Sequence, residues 1–282
     1  MIVFLNSRFV PEEQAAVSVF DRGFLYGDGL FETLLVRNGK AFRLGQHLDR
    51  LQRGAGLLRL QLPYSPGELG RCAAELIRLN QLPDAVLRIQ FSRGPGPRGY
   101  STKGADSPTL VMSLHPAPVI DPAHPPRCRL ITSLLRIPVN DPLATTKTSC
   151  KLRQVLARME AEELGADEAL LLNTRQEVAG AASANLFWVR GKKVCTPALA
   201  SGALDGVTRA AVFELCRSLK VSCVERETTP SVLQEADGVF LTLSTLGIVE
   251  VASLDGTKLK RSPLVRRLAG AYWKLVTAET GG

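Results

Sequence analysis

Leu143-Ala144-Thr145-Thr146-Lys147-Thr148-Ser149-Cys150-Lys151-Leu152-Arg153-Gln154-Val155-Leu156-Ala157-Arg158 carries the most information of any stretch in this chain. Lys147 lies in a polar turn, after which Leu152, Val155, Leu156 and Met159 recur at helical spacing until Gly165 supplies a stop. An amine near a helix start feels the positive end of the dipole, which disfavours the ammonium form. The free amine can attack an aldehyde to give a Schiff base, so Lys147 is a candidate catalytic residue. An isolated lysine in a polar turn is more often a solvated surface group, and this stretch alone leaves both readings open.

Composition narrows the classes. The 282 residues are 45% hydrophobic and 22% charged, enough for a sizeable core in one large or two modest domains. No apolar run is long enough to span a bilayer, and Met1 to Arg8 lacks the basic leader of a secretory signal, so a cytoplasmic location is expected. The net charge of +8 is spread among acids and not gathered into blocks, which argues against nucleic acid and suits attraction of small anions. The six cysteines show no C-x-x-C pair and no metal-like spacing with the three histidines, so neither a metal nor a disulfide framework is expected.

A proline-rich stretch from Pro116 to Pro126 divides the chain, because it continues neither a helix nor a central strand. The expected organisation is an N-terminal domain over 1–118, a linker over 119–126 and a C-terminal domain over 127–282. In the first half, strands are predicted within 2–10 and over 32–36, turning at Asn38-Gly39 into 41–43. A helix follows over 44–58, a second opens at Ser65 with a capping box completed by Glu68, and strands run over 85–92 and 109–114. In the second half, strands are predicted over 129–135, 168–173, 185–189, 193–196 and 238–243. The helices there are the one after Lys147, one over 208–219 and one over 263–276. Strands and helices mixed in both halves indicate an α/β (α+β) fold.

Several segments suit an anionic ligand. Arg50, a fork of donors, lies on a segment that by itself reads as an ordinary amphipathic helix. Gly206-Val207-Thr208-Arg209 marks a loop entering a helix, where backbone amides stand unpaired toward any anion. Ser244-Thr245 offers two hydroxyls at the end of an apolar strand. Asp21-Arg22-Gly23-Phe24-Leu25-Tyr26-Gly27-Asp28-Gly29-Leu30-Phe31-Glu32-Thr33 reads as a glycine loop packed by aromatics, and Ser92-Arg93-Gly94-Pro95-Gly96-Pro97-Arg98-Gly99-Tyr100-Ser101 as a stiff polar loop. Taken singly, each also has a purely structural reading.

Together and in this order, these motifs resemble the fold-type IV pyridoxal-phosphate enzymes, which include branched-chain and D-amino-acid aminotransferases and aminodeoxychorismate lyase. The resemblance runs from about Ile2 to Val251. It implies the two-domain fold of that family, pyridoxal 5'-phosphate as cofactor and Lys147 as its attachment point. It further implies a phosphate site of Arg50, Val207, Thr208, Ser244 and Thr245, and a substrate pocket lined by Phe31, Arg98 and Tyr100, with Glu32 beside Phe31. Partners implied are a small-molecule amine substrate and a second copy in a homodimer. The Ser-Arg-Gly and Arg-Gly-Tyr-Ser elements look closer to the lyase, which forms p-aminobenzoate and pyruvate from 4-amino-4-deoxychorismate. The alternatives are a class IV aminotransferase acting on branched-chain or D-amino acids, and a cofactor-binding protein with impaired turnover. One departure stands out. The family sets a glutamate against the pyridine nitrogen, five residues before the asparagine of the element that reads Asn185-Leu186-Phe187 here, and that position is Gly180. Loss of this carboxylate weakens the cofactor as an electron sink. Glu177 or a water is the candidate to replace it.

Overall fold

In the computed structural model, residues 1–122 and 124–281 are described, and they divide into two compact units. The first comprises Met1–Pro118, Lys147–Lys151 and the chain's end from Val276. The second comprises Val119–Thr146 and Leu152–Leu275. The lysine segment is thus an excursion from the second stretch of chain into the first unit. Within the expected linker over 119–126, Ala123 lies outside the described residues, and the others carry neither helix nor strand.

The first unit contains β1 (Ile2–Leu5), β2 (Arg8–Pro11), α1 (Arg22–Tyr26), β3 (Gly29–Arg37), β4 (Lys40–Ala41), α2 (Leu44–Leu58), α3 (Pro66–Asn80), β5 (Ala85–Ser92) and β6 (Thr109–Pro116). Its antiparallel six-stranded sheet has the order β2-β1-β6-β5-β3-β4. Asn38 and Gly39 both take positive φ, 51° and 75°, the geometry of a tight two-residue hairpin, and they set β4 against β3. Ser65 caps α3 reciprocally: Glu68 N donates to Ser65 Oγ at 3.2 Å and Ser65 N donates to Glu68 Oε2 at 2.7 Å. Helices α2 and α3 bury Leu48, Leu51, Leu69 and Leu76 in one core with Leu34, Val36, Leu87 and Ile89 of the sheet. The expected glycine loop at 21–33 is more ordered than its composition suggests. Asp21 caps α1, Gly27 closes it at φ 68°, and Gly29 starts β3.

The second unit contains β7 (Arg127–Ile137), α4 (Leu152–Glu163), β8 (Glu168–Asn173), β9 (Val178–Ala181), β10 (Asn185–Arg190), β11 (Lys193–Thr196), α5 (Val207–Ser218), β12 (Ser222–Glu225), α6 (Pro230–Glu235), β13 (Gly238–Leu243), β14 (Gly247–Leu254), β15 (Thr257–Lys258) and most of α7 (Pro263–Thr280), whose residues from Val276 belong to the first unit. Its sheet runs β12-β11-β10-β13-β14-β7-β8-β9, with β15 on β14. The β11–β12, β14–β7 and β7–β8 pairs are parallel and the others antiparallel. Helix α4 seats on this sheet through Ala157 and Ala161, which share a core with Ile137, Ala169 and Leu171. Its larger apolar residues, the ones that announce the helix in the sequence, point outward.

Candidate active site

Lys147 is not at a helix start. Its segment is extended and pairs with the beginning of β3: Phe31 N donates to Lys147 O at 3.0 Å, Ser149 N donates to Gly29 O at 2.8 Å, and α4 begins only at Leu152. The residue as a whole is half-buried, but its amine is turned inward, with Nζ 4.6 Å from the centre of the Phe31 ring. Burial above all, and then the positive field of Arg50, lower its pKa to about 7, against the opposing pull of Glu32. The amine is therefore activated as the sequence suggested, but burial and the neighbouring arginine replace the expected helix dipole as the cause.

Strand geometry sorts the groups around it. Successive side chains of β3 point to opposite faces, so Phe31 and Glu32 diverge. Phe31 shares its face with Arg88 of β5, whose guanidinium lies 4.1 Å from the ring centre, and with Gln90, the register partner of Phe31. Arg88 donates through Nε and Nη2 to Gln90 Oε1 at 3.1 and 2.9 Å, and burial lowers its pKa. Among the described residues it has no carboxylate partner. Arg88 was not foreseen, since an arginine alternating with apolar residues in a strand reads as an ordinary solvent-facing position.

Glu32 faces α2 instead, where it is fully buried. Arg50 Nε and Nη2 donate to its two oxygens at 2.8 and 2.6 Å, and His47 Nδ1 lies 2.7 Å from Oε2. Burial raises the Glu32 pKa, but the bonds from Arg50 and His47 outweigh it and hold the carboxyl ionised below its ordinary value. Burial keeps His47 below its usual value. Glu32 accordingly orients Arg50 and does not line an open pocket.

Arg98 and Tyr100 sit on the loop after β5. Arg22 clamps that loop with Nη1 to the carbonyls of Gly99 and Ser101 at 2.9 and 3.1 Å, while Gly99 N donates to the Tyr26 hydroxyl at 3.0 Å. Arg22 and Arg93 in turn bind Asp28, at 2.9 and 2.8 Å. The two family-like segments therefore form one braced corner. The structure does not bring Arg98 or Tyr100 to Lys147 within the chain: both are exposed, Tyr100 by 88%.

In the second unit, Val207, Thr208 and Arg209 form the buried first turn of α5, and no side chain caps it. Its leading amides consequently lack side-chain partners at the positive end of a 12-residue helix. Gly206 is obligatory there, because a Cβ would run into Oδ1 of Asn185, which is pinned by its bond from Nδ2 to Leu204 O at 2.8 Å. Ser244 and Thr245 occupy the turn between β13 and β14. Among the described residues, neither they nor Thr208 make a side-chain hydrogen bond. Gly180 lies on β9 opposite Leu171. Glu177 is tied down by Asn173, whose Nδ2 donates to Oε2 at 2.7 Å.

The family model for class IV amino-transferases matches residues 29–254. The chain belongs to the class IV aminotransferase family. It is therefore a member of a family of pyridoxal 5'-phosphate enzymes, with that family's mixed α/β fold of two sheets. A Methanocaldococcus jannaschii protein, provisionally described as a branched-chain-amino-acid aminotransferase, is 35% identical over 91% of this chain and 88% of its own length. The aminodeoxychorismate lyase of Vibrio harveyi is 32% identical over 91% of this chain and 96% of its own. Among solved structures, a T.th. branched-chain amino acid aminotransferase with pyridoxamine 5'-phosphate superposes with a TM-score of 0.92 at 29% identity, covering 98% of this chain and 94% of that one. The class IV chain described here has groups that fit such a cofactor. Within the first unit Lys147 can shed its proton near neutrality and Arg50 is a fixed cation; within the second, α5 opens with amides that no side chain caps.

Proposed function

We propose that the chain is a pyridoxal-phosphate-dependent aminotransferase that moves the amino group of a branched-chain amino acid to a keto acid. The observation that carries this is the pairing, at the Phe31 ring, of a buried amine whose pKa is near 7 with a half-buried arginine that has no carboxylate partner among the described residues. An amino acid presents two charged ends, and Arg88 is a ready partner for its carboxylate while Lys147 serves its amino end.

Lys147 would hold the cofactor, and Arg50, Val207, Thr208, Ser244 and Thr245 would take its phosphate. Pyridoxal 5'-phosphate supplies the electron sink that makes the carbon next to the substrate nitrogen acidic. The rest falls to the chain's own groups. While the substrate is bound, Lys147 Nζ would be a free amine above about pH 7, able to take the proton from that carbon as base and to give it back as acid. Phe31 keeps the amine in a dry, packed surrounding, and Glu32 fixes Arg50 so that its charge stays put. Arg98 and Tyr100, exposed on the braced loop, are the outer substrate contacts, and a homodimer is the assembled form.

Support for transamination comes from the relatives: both the 35% identical protein and the superposed structure carry that description. It displaces the lyase as the first choice. The lyase is kept as a second reading because of its 32% identical relative and the Arg98-Gly99-Tyr100-Ser101 loop. Incubation with branched-chain L-amino acids, D-alanine and 4-amino-4-deoxychorismate, with 2-oxoglutarate as acceptor, separates them. Keto acid formed from leucine or valine supports the proposal, whereas pyruvate and p-aminobenzoate without keto acid would replace it with the lyase.

A further inference from the structure

The sheet face that carries Phe31 holds a polar side chain to which the proposed reaction gives no part. Arg88 and Gln90, both half-buried, alternate on β5 in cross-strand rows with Thr33 and Ser113 and with Phe31 and Val111. Neither row contains a carboxylate. Gln90 Oε1 accepts from both Nε and Nη2 of Arg88, at 3.1 and 2.9 Å, while Gln90 Nε2 donates to Ser149 Oγ at 3.4 Å. Ser149 belongs to the lysine segment and is itself fixed, its N–H donating to Gly29 O at 2.8 Å. One neutral amide thus ties the arginine to the strand that carries Lys147.

The choice of an amide has a physical consequence. An arginine side chain is long and loses much rotamer freedom when fixed, so a guanidinium offered to a ligand needs a partner that holds it beforehand. A glutamate would hold it firmly but would also neutralise it, and in a half-buried place that attraction is weakly screened. An amide oxygen holds it and adds no charge. The Phe31 ring, 4.1 Å from the guanidinium carbon, sets the plane of the fork. Because Gln90 occupies the edge formed by Nε and Nη2, Nη1 and the second hydrogen of Nη2 remain. These make the end of the fork, where a carboxylate can take two parallel bonds.

We infer that Gln90 is a positioning residue, which presents Arg88 end-on to the substrate's carboxylate without neutralising it. The inference rests on the proposed part of Arg88 in binding that carboxylate. Its test uses protein loaded with pyridoxal 5'-phosphate and the probe 4-methylpentanoate, the carbon skeleton of leucine without its amino group, with the dissociation constant read from the cofactor's absorbance. The variants are Arg88→Met, Gln90→Met, the two combined, and Gln90→Glu, each checked for folding by thermal unfolding. Arg88→Met and Gln90→Met should each raise the constant about tenfold, as for hydrogen bonds lost from a charged group. The combined variant should bind no more weakly than Arg88→Met, because Gln90 acts only through the arginine. With leucine as substrate, Gln90→Met should raise KM and leave kcat within about twofold. Gln90→Glu, of the same shape, should weaken the probe by about tenfold or more, because its carboxylate takes the charge of Arg88. Parental affinity in Gln90→Met, a full added loss in the combined variant, or parental affinity in Gln90→Glu would each overturn the inference; if Gln90→Met does not fold, Gln90→Glu decides. A parent that does not bind the probe, or binding indifferent to Arg88→Met, would instead remove the part given to Arg88 and the inference with it.

Discussion

Lys147 combines two properties that compete, a buried position and an ionisable group, and the conflict is what makes it reactive. Its pKa near 7 against 10.5 for a free lysine means that between those values the folded chain has shed a proton that the unfolded chain keeps. More protons on the unfolded state means that stability rises with pH across that window, and that below about pH 7 the buried charge is a standing cost. Urea midpoints of the cofactor-free protein should therefore climb from pH 7 toward 10, and Lys147→Met should flatten the climb; equal slopes would show that the amine titrates normally. Glu32 is the second decisive residue. Glu32→Gln leaves Arg50 and His47 buried without their anion and should cost about 3–5 kcal/mol in urea unfolding, together with weaker cofactor binding. Gly180 bears on the electron sink. The resemblance implies a glutamate at that position, so Gly180→Glu is expected to raise turnover or cofactor affinity; unchanged or lower values for both in a folded variant would refute that correspondence.

Elements explain how far the sequence could be read. The spans of α2 and β5 follow directly from apolar periodicity and turn chemistry, because Leu48 and Leu51, and Leu87 and Ile89, alternate as their cores require. The Ser65-Glu68 cap was equally legible, being a local motif. Strands β9, β12 and β14 were not foreseen: β9 and β12 have only four residues each and β14 sets Glu250 among apolar residues, so their pairing is decided by neighbours distant in sequence. Helix α4 was legible as a helix but not as to which face it buries, because alanines won the inward side. In the same way, Lys147 and Arg50 are singled out by resemblance, while Arg88 emerged only when β3 and β5 came into register. The start of α5 supplies a test at this scale. Gly206→Ala places a methyl against Asn185 and should cost about 1–3 kcal/mol in unfolding free energy. It should also raise the cofactor's dissociation constant, measured by absorbance titration; a variant of parental stability and affinity would remove the phosphate from that turn.

At the scale of the whole molecule, the chain interleaves its two units: the lysine segment leaves the second stretch of sequence to join the sheet of the first, and the end of the chain from Val276 belongs there too. No helix among the described residues is long and apolar enough to cross a membrane, and no cluster of metal-ligating side chains appears among them. The covalent role proposed for Lys147 can be read directly. The purified protein, loaded with pyridoxal 5'-phosphate and reduced with borohydride, should yield on peptide mass spectrometry one phosphopyridoxyl group, carried by Lys147, and none in Lys147→Ala. Modification of another lysine in its place, or an unmodified Lys147 in protein that has taken up the cofactor, would contradict it.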